Sequence, residues 1–379
     1  MLLEAILEQR LGVRMKRDAE IKRVLVYRLG SLGDTIVALP SLHLVERAFP
    51  LAERRLLTNF PVAGKAAPAQ AVLGDSGLVH GYFSYSVGMR QPLVVLMLIL
   101  AIRRWKPEVL VYLTVARGIK AARRDALFFR LCGIRKIIGL PDTEDRQRNR
   151  VIDGSDLLEP EAARLARCIA ELGNARLDDP ASWDLRLSKE EKESAAIALQ
   201  AAGGRPVIAV SLGTKVQAKD WGVENWHALL GCLVAVYPGH ALALTGAGEE
   251  RAVSLMAAEA WSAQMVAGPA INLCGKLTPR QSAAVYARSR IFLGHDSGPM
   301  HLASAVQTPC VAVFSSLNLP AVWFPYGPQH RVLYHRVDCM GCRLETCIIQ
   351  QKKCILSISV DEVMHAVREV LEPETSGFG

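Results

Sequence analysis

Continuous apolar runs that alternate with helical segments are the feature that most constrains the fold of this chain. Uninterrupted Val, Ile and Leu residues are typical of strands buried on both faces of a parallel sheet, whereas half-buried strands alternate apolar and polar residues. Strand and helix in alternation predict doubly wound α/β domains with right-handed crossovers. The runs fall into two blocks, at Val24–Tyr27, Arg55–Thr58, Val109–Leu113 and Lys136–Gly139, and then at Val207–Ser211, Ala241–Thr245, Ile271–Cys274, Ile291–Gly294 and Cys310–Phe314.

The length of the chain agrees with two such domains. Its 379 residues exceed the size of one average domain, which is about 150 residues. A polar, proline-containing stretch, LDDPASWDLRLSKEEKES, separates the two blocks and places the boundary near residues 175–190. We therefore predict an N-terminal domain over residues 1–180 and a C-terminal domain over residues 190–355. The last segment, residues 356–379, reads as a helix that could pack back on the first domain.

Composition limits the classes of partner. The chain has 45 basic and 37 acidic residues and a net charge of +8. This mild excess suits anionic substrates or an anionic membrane face, and no nucleic-acid-binding motif accompanies it. The first twenty residues mix charged and apolar positions and predict no signal peptide. With nine cysteines and no export signal, reduced thiols and a cytoplasmic location are expected.

The most apolar stretch, Pro92–Ile102, is too short to span a bilayer, which takes about 20 residues. It runs into the basic sequence RRWK. We interpret it as a buried helix. A basic, tryptophan-bearing contact with a membrane surface is the alternative, and it would put the protein peripherally on the cytoplasmic face of the inner membrane.

The turn GSLGD follows the first predicted strand. It matches neither a dinucleotide-binding fingerprint nor a Walker A loop, because no Lys-Ser/Thr pair follows the second glycine. Asp34 would lie at or near a helix N-cap, where an aspartate ordinarily accepts backbone N–H bonds. At the carboxyl end of a strand, where ligands of α/β sheets bind, the same carboxylate could act as a general base toward a hydroxyl.

Three further segments follow strands of the second block. SLGTKVQAKDW groups Thr214, Lys215 and Lys219, which either form an exposed basic loop or supply charges and donors to a diphosphate. LTGAGEE opens a helix with acidic residues that either face the helix dipole or hold a ribose. IFLGHDSGPMHLASA joins a strand to a helix that begins near Pro299, so its free N–H groups predict an anion site.

Together these motifs resemble glycosyltransferase family 9, the ADP-heptose:lipopolysaccharide heptosyltransferases. The segments GDTIVALPSL, TKVQAKDW and DSGPMHLASA occur in the family's order, and the resemblance runs from about Arg23 to the last helix. It implies the GT-B fold, in which two Rossmann-like domains face each other across a cleft. The first domain would bind the acceptor and the second the nucleotide sugar. Two departures stand out: KDWGVENW replaces the more usual K-x-W-P run, and FSSLNLPAVWFPYGPQH is rich in aromatics.

The resemblance also implies residue roles. Asp34 falls at the family's proposed general base, and Ser31 and Gly33 lie in the same loop. The lysines and Thr214 would neutralise the donor diphosphate, the helix start would hold its phosphates, Glu249 or Glu250 the ribose, and Leu277 the base. The implied donor-binding positions are Ser31, Gly33, Thr214, Lys215, Lys219, Glu249, Leu277, Asp296, Ser297, Gly298 and His301.

The reaction implied is an inverting transfer of a heptose, or a related sugar, from a nucleotide diphosphate donor. The donor would be ADP-heptose and the acceptor a sugar hydroxyl of a lipid-linked, lipopolysaccharide-type glycan. Fixed cations and a helix dipole would replace a divalent ion, so no cofactor is required. The alternatives are an autotransporter-type protein O-heptosyltransferase and a non-catalytic nucleotide-sugar-binding protein.

Four cysteines lie close together in CMGCRLETCIIQQKKC: Cys339, Cys342, Cys347 and Cys354. Such a set could build a structural zinc or iron site. Reduced thiols or a facultative disulfide in a loop are the other interpretations. Iron in this region would favour the protein O-heptosyltransferase, because a related group that glycosylates autotransporters carries an iron-binding cysteine motif.

Overall fold

The computed structural model describes residues 21–60, 67–86, 88 and 91–372. The first twenty residues, for which no signal peptide was predicted, lie outside this range. The chain divides into two compact units, Met1–Trp183 and Asp184–Gly379. The division falls inside the polar stretch that separates the two blocks of strands.

The first unit is built on a parallel five-stranded sheet. Its order, β3-β2-β1-β4-β5, reverses direction between β1 and β4, as in a dinucleotide-binding fold. The strands are β1 (Arg23–Tyr27), β2 (Glu53–Asn59), β3 (Gly81–Tyr85), β4 (Val109–Tyr112) and β5 (Lys136–Ile138). The helices are α1 (Leu32–Val37), α2 (Leu39–Ala48), α3 (Ala69–Leu73), α4 (Pro92–Trp105), α5 (Ile119–Leu131), α6 (Glu144–Gln147) and α7 (Glu161–Cys168).

The second unit has a parallel six-stranded sheet of the same kind. Its order is β11-β10-β9-β6-β7-β8, with the reversal between β6 and β9. The strands are β6 (Val207–Ser211), β7 (Ala241–Leu244), β8 (Ala270–Asn272), β9 (Ile291–His295), β10 (Cys310–Phe314) and β11 (Arg331–Tyr334). The helices are α8 (Lys189–Ala198), α9 (Val223–Val236), α10 (Arg251–Ser262), α11 (Pro279–Tyr286), α12 (Gly298–Ala305), α13 (Lys353–Leu356) and α14 (Val360–Leu371).

Both sheets are buried on two faces, which explains their uninterrupted apolar strands. In β1, every residue from Val24 to Tyr27 is buried, with alternate side chains entering opposite layers. Leu25 and Tyr27 pack with Phe129 of α5 in one layer of the first unit. In the second unit, Ile208 and Val210 of β6 face a cluster that contains tryptophans of α9 and α10.

Helix α14 lies in the second unit. Its buried residues Val363, Met364 and Val367 join the cluster formed by α9, α10 and the strands β6, β9 and β10. Ser359 caps its first turn by accepting a hydrogen bond from the Glu362 N–H at 3.2 Å. Within the predicted last segment, Val360–Leu371 form a helix, and its apolar side joins the core of the second unit.

Helix α4 corrects one expectation. The stretch Pro92–Ile102 was interpreted as a buried helix, but only Ile102 and Trp105 of α4 are buried. Its remaining apolar side chains are exposed or half-buried. Leu98 and Ile99 pack against the core from one side of α4, so the uniform apolar character of the stretch hides the fact that its other side is exposed.

Within the described ranges, no helix combines the length and apolar character that crossing a membrane would require.

Candidate functional sites at the sheet switch points

Each sheet reverses its strand order once, and ligands of open α/β sheets bind at that point, outside the carboxyl ends of the strands. In the first unit the point lies between β1 and β4, so the GSLGD turn borders it. In the second unit it lies between β6 and β9, and the segments after these strands contain Lys219 and Asp296. The topology thus brings the predicted motifs to the two positions where it can build sites.

In the first unit, Asp34 lies at the third position of α1, and Ser31 is the N-cap. Asp34 Oδ2 accepts hydrogen bonds from the Ser31 N–H at 2.7 Å and from Ser31 Oγ at 3.0 Å. An aspartate was expected at or near the N-cap. It lies three residues after the N-cap, at the position of the acidic residue in a capping box. About a fifth of the Asp34 side chain, 22%, stays exposed, so a hydroxyl can reach it.

Gly30 allows this turn to form. Its φ is +125°, a backbone conformation that residues other than glycine rarely adopt. Its N–H donates to Asn59 Oδ1 at 2.8 Å. A Cβ at Gly30 would overlap the Asp34 carboxylate. Gly33, by contrast, is an ordinary buried residue of the first helical turn. The first glycine of GSLGD is therefore the one that positions Asp34.

Arg28 is a partner of Asp34 that the sequence reading missed. It is buried, donates to the backbone oxygen of Asp34, and lies 3.5 Å from Asp34 Oδ1. Its Nη1 also donates to Leu113 O at 2.6 Å, which ties the loop after β1 to the end of β4. Burial lowers the pKa of Arg28, and the Asp34 charge opposes that shift. An arginine directly after a buried strand was the available signal.

In the second unit, Lys219 and Asp296 form an ion pair. Lys219 Nζ lies 2.6 Å from Asp296 Oδ2 and donates to Asp296 O at 3.3 Å. The exposed fractions of the two side chains are 17% and 5%, so the pair is largely shielded from water. The carboxylate fixes the ammonium group at the switch point, beside the start of α12.

The start of α12 carries features of an anion site. Ser297 is the N-cap, Gly298 begins the helix and Pro299 follows, so the first N–H groups have no helical acceptor. Ser297 Oγ is buried and, within the described residues, has no hydrogen-bond partner. The hydroxyls of Ser211, Ser315 and Ser316 are likewise buried and without a partner among the described residues. Ser211 ends β6, and Ser315 and Ser316 follow β10; these two strands flank β9. Buried polar groups are normally satisfied, so these hydroxyls are available to an ordered water or to a bound ligand.

His295, at the end of β9, fixes the loop that carries Lys219. Its Nε2 accepts from the Trp221 N–H at 3.0 Å and from Trp226 Nε1 at 3.3 Å. Burial lowers the pKa of His295 to about 4, so the ring is neutral near pH 7 and can accept these bonds. The sequence reading passed over this histidine in favour of His301.

The other predicted donor residues of the second unit include a pair in the loop after β6, Thr214 and Lys215, and a pair after β7, Glu249 and Glu250. Thr214 is half-buried and its Oγ1 accepts from the Val216 N–H at 3.3 Å, while Lys215 is exposed. Glu249 is exposed, whereas Glu250 turns inward against Gly213 and Gly246. The pKa of Glu250 is raised, chiefly by burial and also by the charge of Glu249, while the Ala247 N–H and the charge of Lys215 oppose the shift.

Two predicted positions, Leu277 and His301, lie at or near the starts of helices α11 and α12. Leu277 is half-buried and precedes Thr278, the N-cap of α11 after β8. His301 is buried in the first turns of α12, with its ring centroid 6.4 Å from that of Trp323. Both belong to the carboxyl side of the second sheet, and neither contacts Lys219 in the hydrogen bonds described above.

The cysteine-bearing segment braces the loop of Lys219. The Ala218 N–H donates to Glu345 O at 3.1 Å, and the Cys347 N–H donates to Gln217 Oε1 at 2.9 Å. Lys352 Nζ donates to Asp220 O at 2.8 Å. Three hydrogen bonds therefore hold residues 217–220 from one side, while His295 holds Trp221 from the other.

None of the nine cysteines forms a disulfide in the described chain. Cys339, Cys342, Cys347 and Cys354 line one small cavity of about 10 Å³, next to Ala218. Over the described ranges, no group of three or more His, Cys, Asp or Glu side chains is arranged to hold a metal ion. The four thiols share a location, but as placed they do not form a coordination shell.

A family model described as glycosyltransferase family 9 (heptosyltransferase) matches residues 123–353, which is more than half of the chain. The chain belongs to glycosyltransferase family 9. The match covers the Lys219 loop, the Lys219–Asp296 pair and three of the four clustered cysteines, Cys339, Cys342 and Cys347. The family membership predicted from the three motifs is thereby confirmed.

Curated relatives in the family match parts of the chain. Lipooligosaccharide heptosyltransferase 2 of Campylobacter jejuni is 28% identical over 103 residues, 27% of this chain and 32% of that protein. Lipopolysaccharide heptosyltransferase 3 of Escherichia coli is 25% identical over 198 residues, 52% of this chain and 54% of that protein. The matched segments thus span between a third and about half of the length of these relatives.

Solved structures share the fold over nearly the whole chain. A family 9 glycosyltransferase from Veillonella parvula has a TM-score of 0.69 at 17% identity and covers 92% of this chain and 97% of its own. The E. coli ADP-heptose lipopolysaccharide heptosyltransferase II has a TM-score of 0.61 at 18% identity, with 92% and 98% covered. The iron-containing dodecameric glycosyltransferase TibC of enterotoxigenic E. coli has a TM-score of 0.50 at 14% identity. The match covers 92% of this chain and 76% of TibC. The predicted GT-B fold class, with two parallel α/β units, is confirmed.

Proposed function

We propose that this family 9 glycosyltransferase moves a heptose from ADP-heptose to a sugar hydroxyl of a lipopolysaccharide-type, lipid-linked glycan. The observation that carries the proposal is the shielded Lys219–Asp296 pair at the switch point of the second unit, beside the Ser297–Gly298 helix start. A fixed cation, free N–H groups and unpartnered hydroxyls suit a nucleoside diphosphate. The structurally similar E. coli heptosyltransferase II is named for ADP-heptose.

The second unit is proposed to hold the donor. Lys219 and the α12 start would neutralise the diphosphate, with Thr214, Lys215 and the unpartnered serine hydroxyls as further donors. Glu250, which turns inward where Glu249 is exposed, is the better candidate for the ribose. Leu277 is proposed to contact the base through its backbone, and His301 to lie near the sugar and phosphates.

The first unit is proposed to hold the acceptor, with Asp34 as general base. Ser31 and Gly33 would border the substrates from the same loop. In the reaction, the acceptor oxygen forms a bond to the anomeric carbon while the bond from that carbon to the donor phosphate oxygen breaks. Asp34 takes the hydroxyl proton, the nucleoside diphosphate leaves with the bonding electrons, and the anomeric configuration inverts. Lys219 and the helix start stabilise the charge that develops on the leaving group.

We also propose where the protein acts and that it needs no metal ion. A lipid-linked acceptor and an ADP-sugar donor meet at the cytoplasmic face of a membrane, so the protein is proposed to be cytoplasmic and peripheral there. Cations of the protein take the role of a divalent ion, so transfer should need no metal. The structurally similar glycosyltransferase TibC contains iron. Elemental analysis of the purified protein tests whether the four cysteines here hold zinc or iron.

The test of the function is donor turnover. Purified protein is incubated with ADP-, GDP- and UDP-sugars, including ADP-heptose, with a crude glycolipid extract as acceptor, and with or without EDTA. We expect nucleoside diphosphate release from ADP-heptose, resistance to EDTA, and loss of release in Lys219→Met. Lys189→Met, an exposed lysine on α8, is the matched control and should behave as wild type.

The other outcomes of this panel each overturn a named part. Nucleoside diphosphate release from a different nucleotide sugar would overturn ADP-heptose as the donor and keep the proposal of sugar transfer. Loss of release with EDTA would overturn the metal-independent step. Donor binding without release, with acceptor present, would support a nucleotide-sugar-binding protein instead of an enzyme.

A further inference from the structure

Helix α4 carries an exposed apolar stripe. The exposed fractions of Leu93, Leu96, Met97 and Leu100 are 67%, 49%, 53% and 55%. Their spacing, i, i+3, i+4 and i+7, puts all four on one side of the helix. Single exposed apolar residues are ordinary, but a contiguous stripe of this length marks an interaction surface.

Helix α5 of the same unit also carries exposed leucines. Leu127 and Leu131 of α5 are 59% and 53% exposed. Arg103 of α4 donates to Leu131 O at 2.9 Å, which joins the ends of the two helices. Side chains of both helices also line one cavity of about 460 Å³ in the first unit. We call the six exposed residues Leu93, Leu96, Met97, Leu100, Leu127 and Leu131 the α4–α5 face.

The surroundings of this face are cationic. Residues 91–136 contain ten basic and two acidic side chains. Both carboxylates are engaged: Asp125 is buried and pairs with Arg117 at 2.5 Å, and Glu108 accepts from the N–H groups of Lys22 and Arg23. Arg104, Lys120 and Arg123 are exposed. The face thus combines apolar side chains with uncompensated positive charge.

We propose that the α4–α5 face docks on a bilayer of anionic phospholipids. A helix surface with leucines on one side and basic residues around them inserts its apolar side chains at the level of the headgroups, and the cations attract anionic lipid. A second copy of this chain is a poorer occupant, because an isologous interface would bring the same cations together. The inference rests on the proposed function, since a lipid-linked acceptor lies in such a membrane.

Vesicle co-sedimentation of the full chain tests the proposal without donor or acceptor. The probes are vesicles of phosphatidylglycerol with phosphatidylcholine, and vesicles of phosphatidylcholine alone. We expect wild type to bind the anionic vesicles roughly tenfold more tightly, and the triple variant Leu93→Ser, Leu96→Ser, Leu100→Ser to lose about tenfold of that binding. A second variant, Arg104→Gln, Lys120→Gln, Arg123→Gln, should lose the preference for anionic lipid.

The matched control replaces three exposed apolar residues of the second unit, Ile197→Ser, Leu255→Ser and Met256→Ser, and should bind as wild type. Absence of wild-type binding would overturn the proposal, as would equal binding by all variants. A wild-type dimer that the leucine variant dissociates, without vesicle binding, would show that a second copy covers the face. Sugar transfer to a water-soluble acceptor, measured on the same proteins, should be unchanged, so failure of docking and failure of the proposed function are distinguishable.

Discussion

Asp34 accepts the hydrogen bonds of a capping box, so its structural role has to be separated from its proposed chemical role. Asn at this position keeps an oxygen that can accept from the Ser31 N–H and removes the basicity. We expect Asp34→Asn to lower kcat about 100-fold or more, the usual contribution of a general base. Its melting temperature should fall below that of wild type, because the buried Arg28 loses the carboxylate that lies 3.5 Å away.

Asp34→Ala is the companion variant. It should lose the same activity and, in addition, about 1 kcal/mol of unfolding free energy, because the first turn of α1 loses its cap. Steady-state turnover and thermal unfolding of both variants provide the measurement. Full activity in Asp34→Asn would show that Asp34 only caps the helix.

Gly30 is expected to be intolerant of substitution for two reasons. Its φ of +125° is strained for any side chain, and a Cβ would meet the Asp34 carboxylate. We expect Gly30→Ala to lower the unfolding free energy by about 1–3 kcal/mol and to reduce turnover by displacing Asp34. Denaturant unfolding and steady-state kinetics check this.

Gly118→Ala is the matched control in the same unit. Gly118 also has a positive φ, +90°, but a Cβ there would contact nothing within 4 Å. It should lose stability by strain alone and keep its turnover. Equal activity in the two variants would show that the contact between Gly30 and Asp34 does not matter for the reaction.

The sequence predicted the residue types of the candidate sites better than their contacts. GSLGD predicted that Asp34 lies near a helix N-cap, and DSGPMHLASA predicted a helix start near Pro299, one residue after the observed start at Gly298, because such signals are local. Arg28 was missed, since its two contacts, to Asp34 and to Leu113, exist only once β1 and β4 are paired. For the same reason, sequence grouped Lys215 with Lys219, although only Lys219 pairs with Asp296 in the ion pairs described.

At the level of elements, the strands buried on both faces were predicted, as were two of the four edge strands, β5 and β8, from the runs Lys136–Gly139 and Ile271–Cys274. β6 and β10 agree with the predicted runs, Val207–Ser211 and Cys310–Phe314. β3 and β11 were missed, and each lies at an edge of its sheet with half-buried side chains. Edge strands are covered less, so they need no continuous apolar run, and that run was the signal used.

The segment from Cys339 to Lys352 acts as a brace on the loop of Lys219, which gives a prediction for the donor site. Lys352→Met removes the hydrogen bond to Asp220 O and the nearby charge. We expect the Kd for ADP to rise about tenfold, in the range of a lost charged hydrogen bond. Isothermal titration with ADP checks this.

Lys353→Met is the control, because Lys353 pairs at 3.6 Å with Asp338, whose side chain is fully exposed. It should bind ADP as wild type does. A Kd in Lys352→Met within twofold of wild type would show that the brace has no effect on the donor loop. The brace itself could not be read from the sequence, since it joins positions more than a hundred residues apart.

For the whole molecule, two buried histidines of the second unit set a pH dependence of stability. Burial lowers the pKa of His295 and that of His330 to about 4, below the ordinary value of 6.5. The unfolded chain therefore binds protons that the folded chain does not, and stability falls as the pH drops from about 6.5 toward 4. Each histidine should cost about 2 kcal/mol of unfolding free energy between about pH 7 and pH 5.

Urea unfolding across this pH interval measures the effect. His330→Gln should remove about half of the part due to the two histidines, while Ser304 and the Cys310 N–H keep a hydrogen-bonding side chain nearby. The same pH dependence in wild type and His330→Gln would contradict the assignment. Acidification should thus loosen the unit that holds the Lys219–Asp296 pair.

The stack of Trp221, Trp226 and His295 makes the donor loop visible to spectroscopy. The ring centroid of Trp226 lies 5.2 Å from that of His295 and 5.1 Å from that of Trp221, in edge-on contacts. Trp221 follows Lys219 by two residues in the chain. Indole emission responds to a nearby ring's charge and to small displacements. Ligand titrations and acidification can therefore be followed by intrinsic fluorescence, with no label attached to the protein.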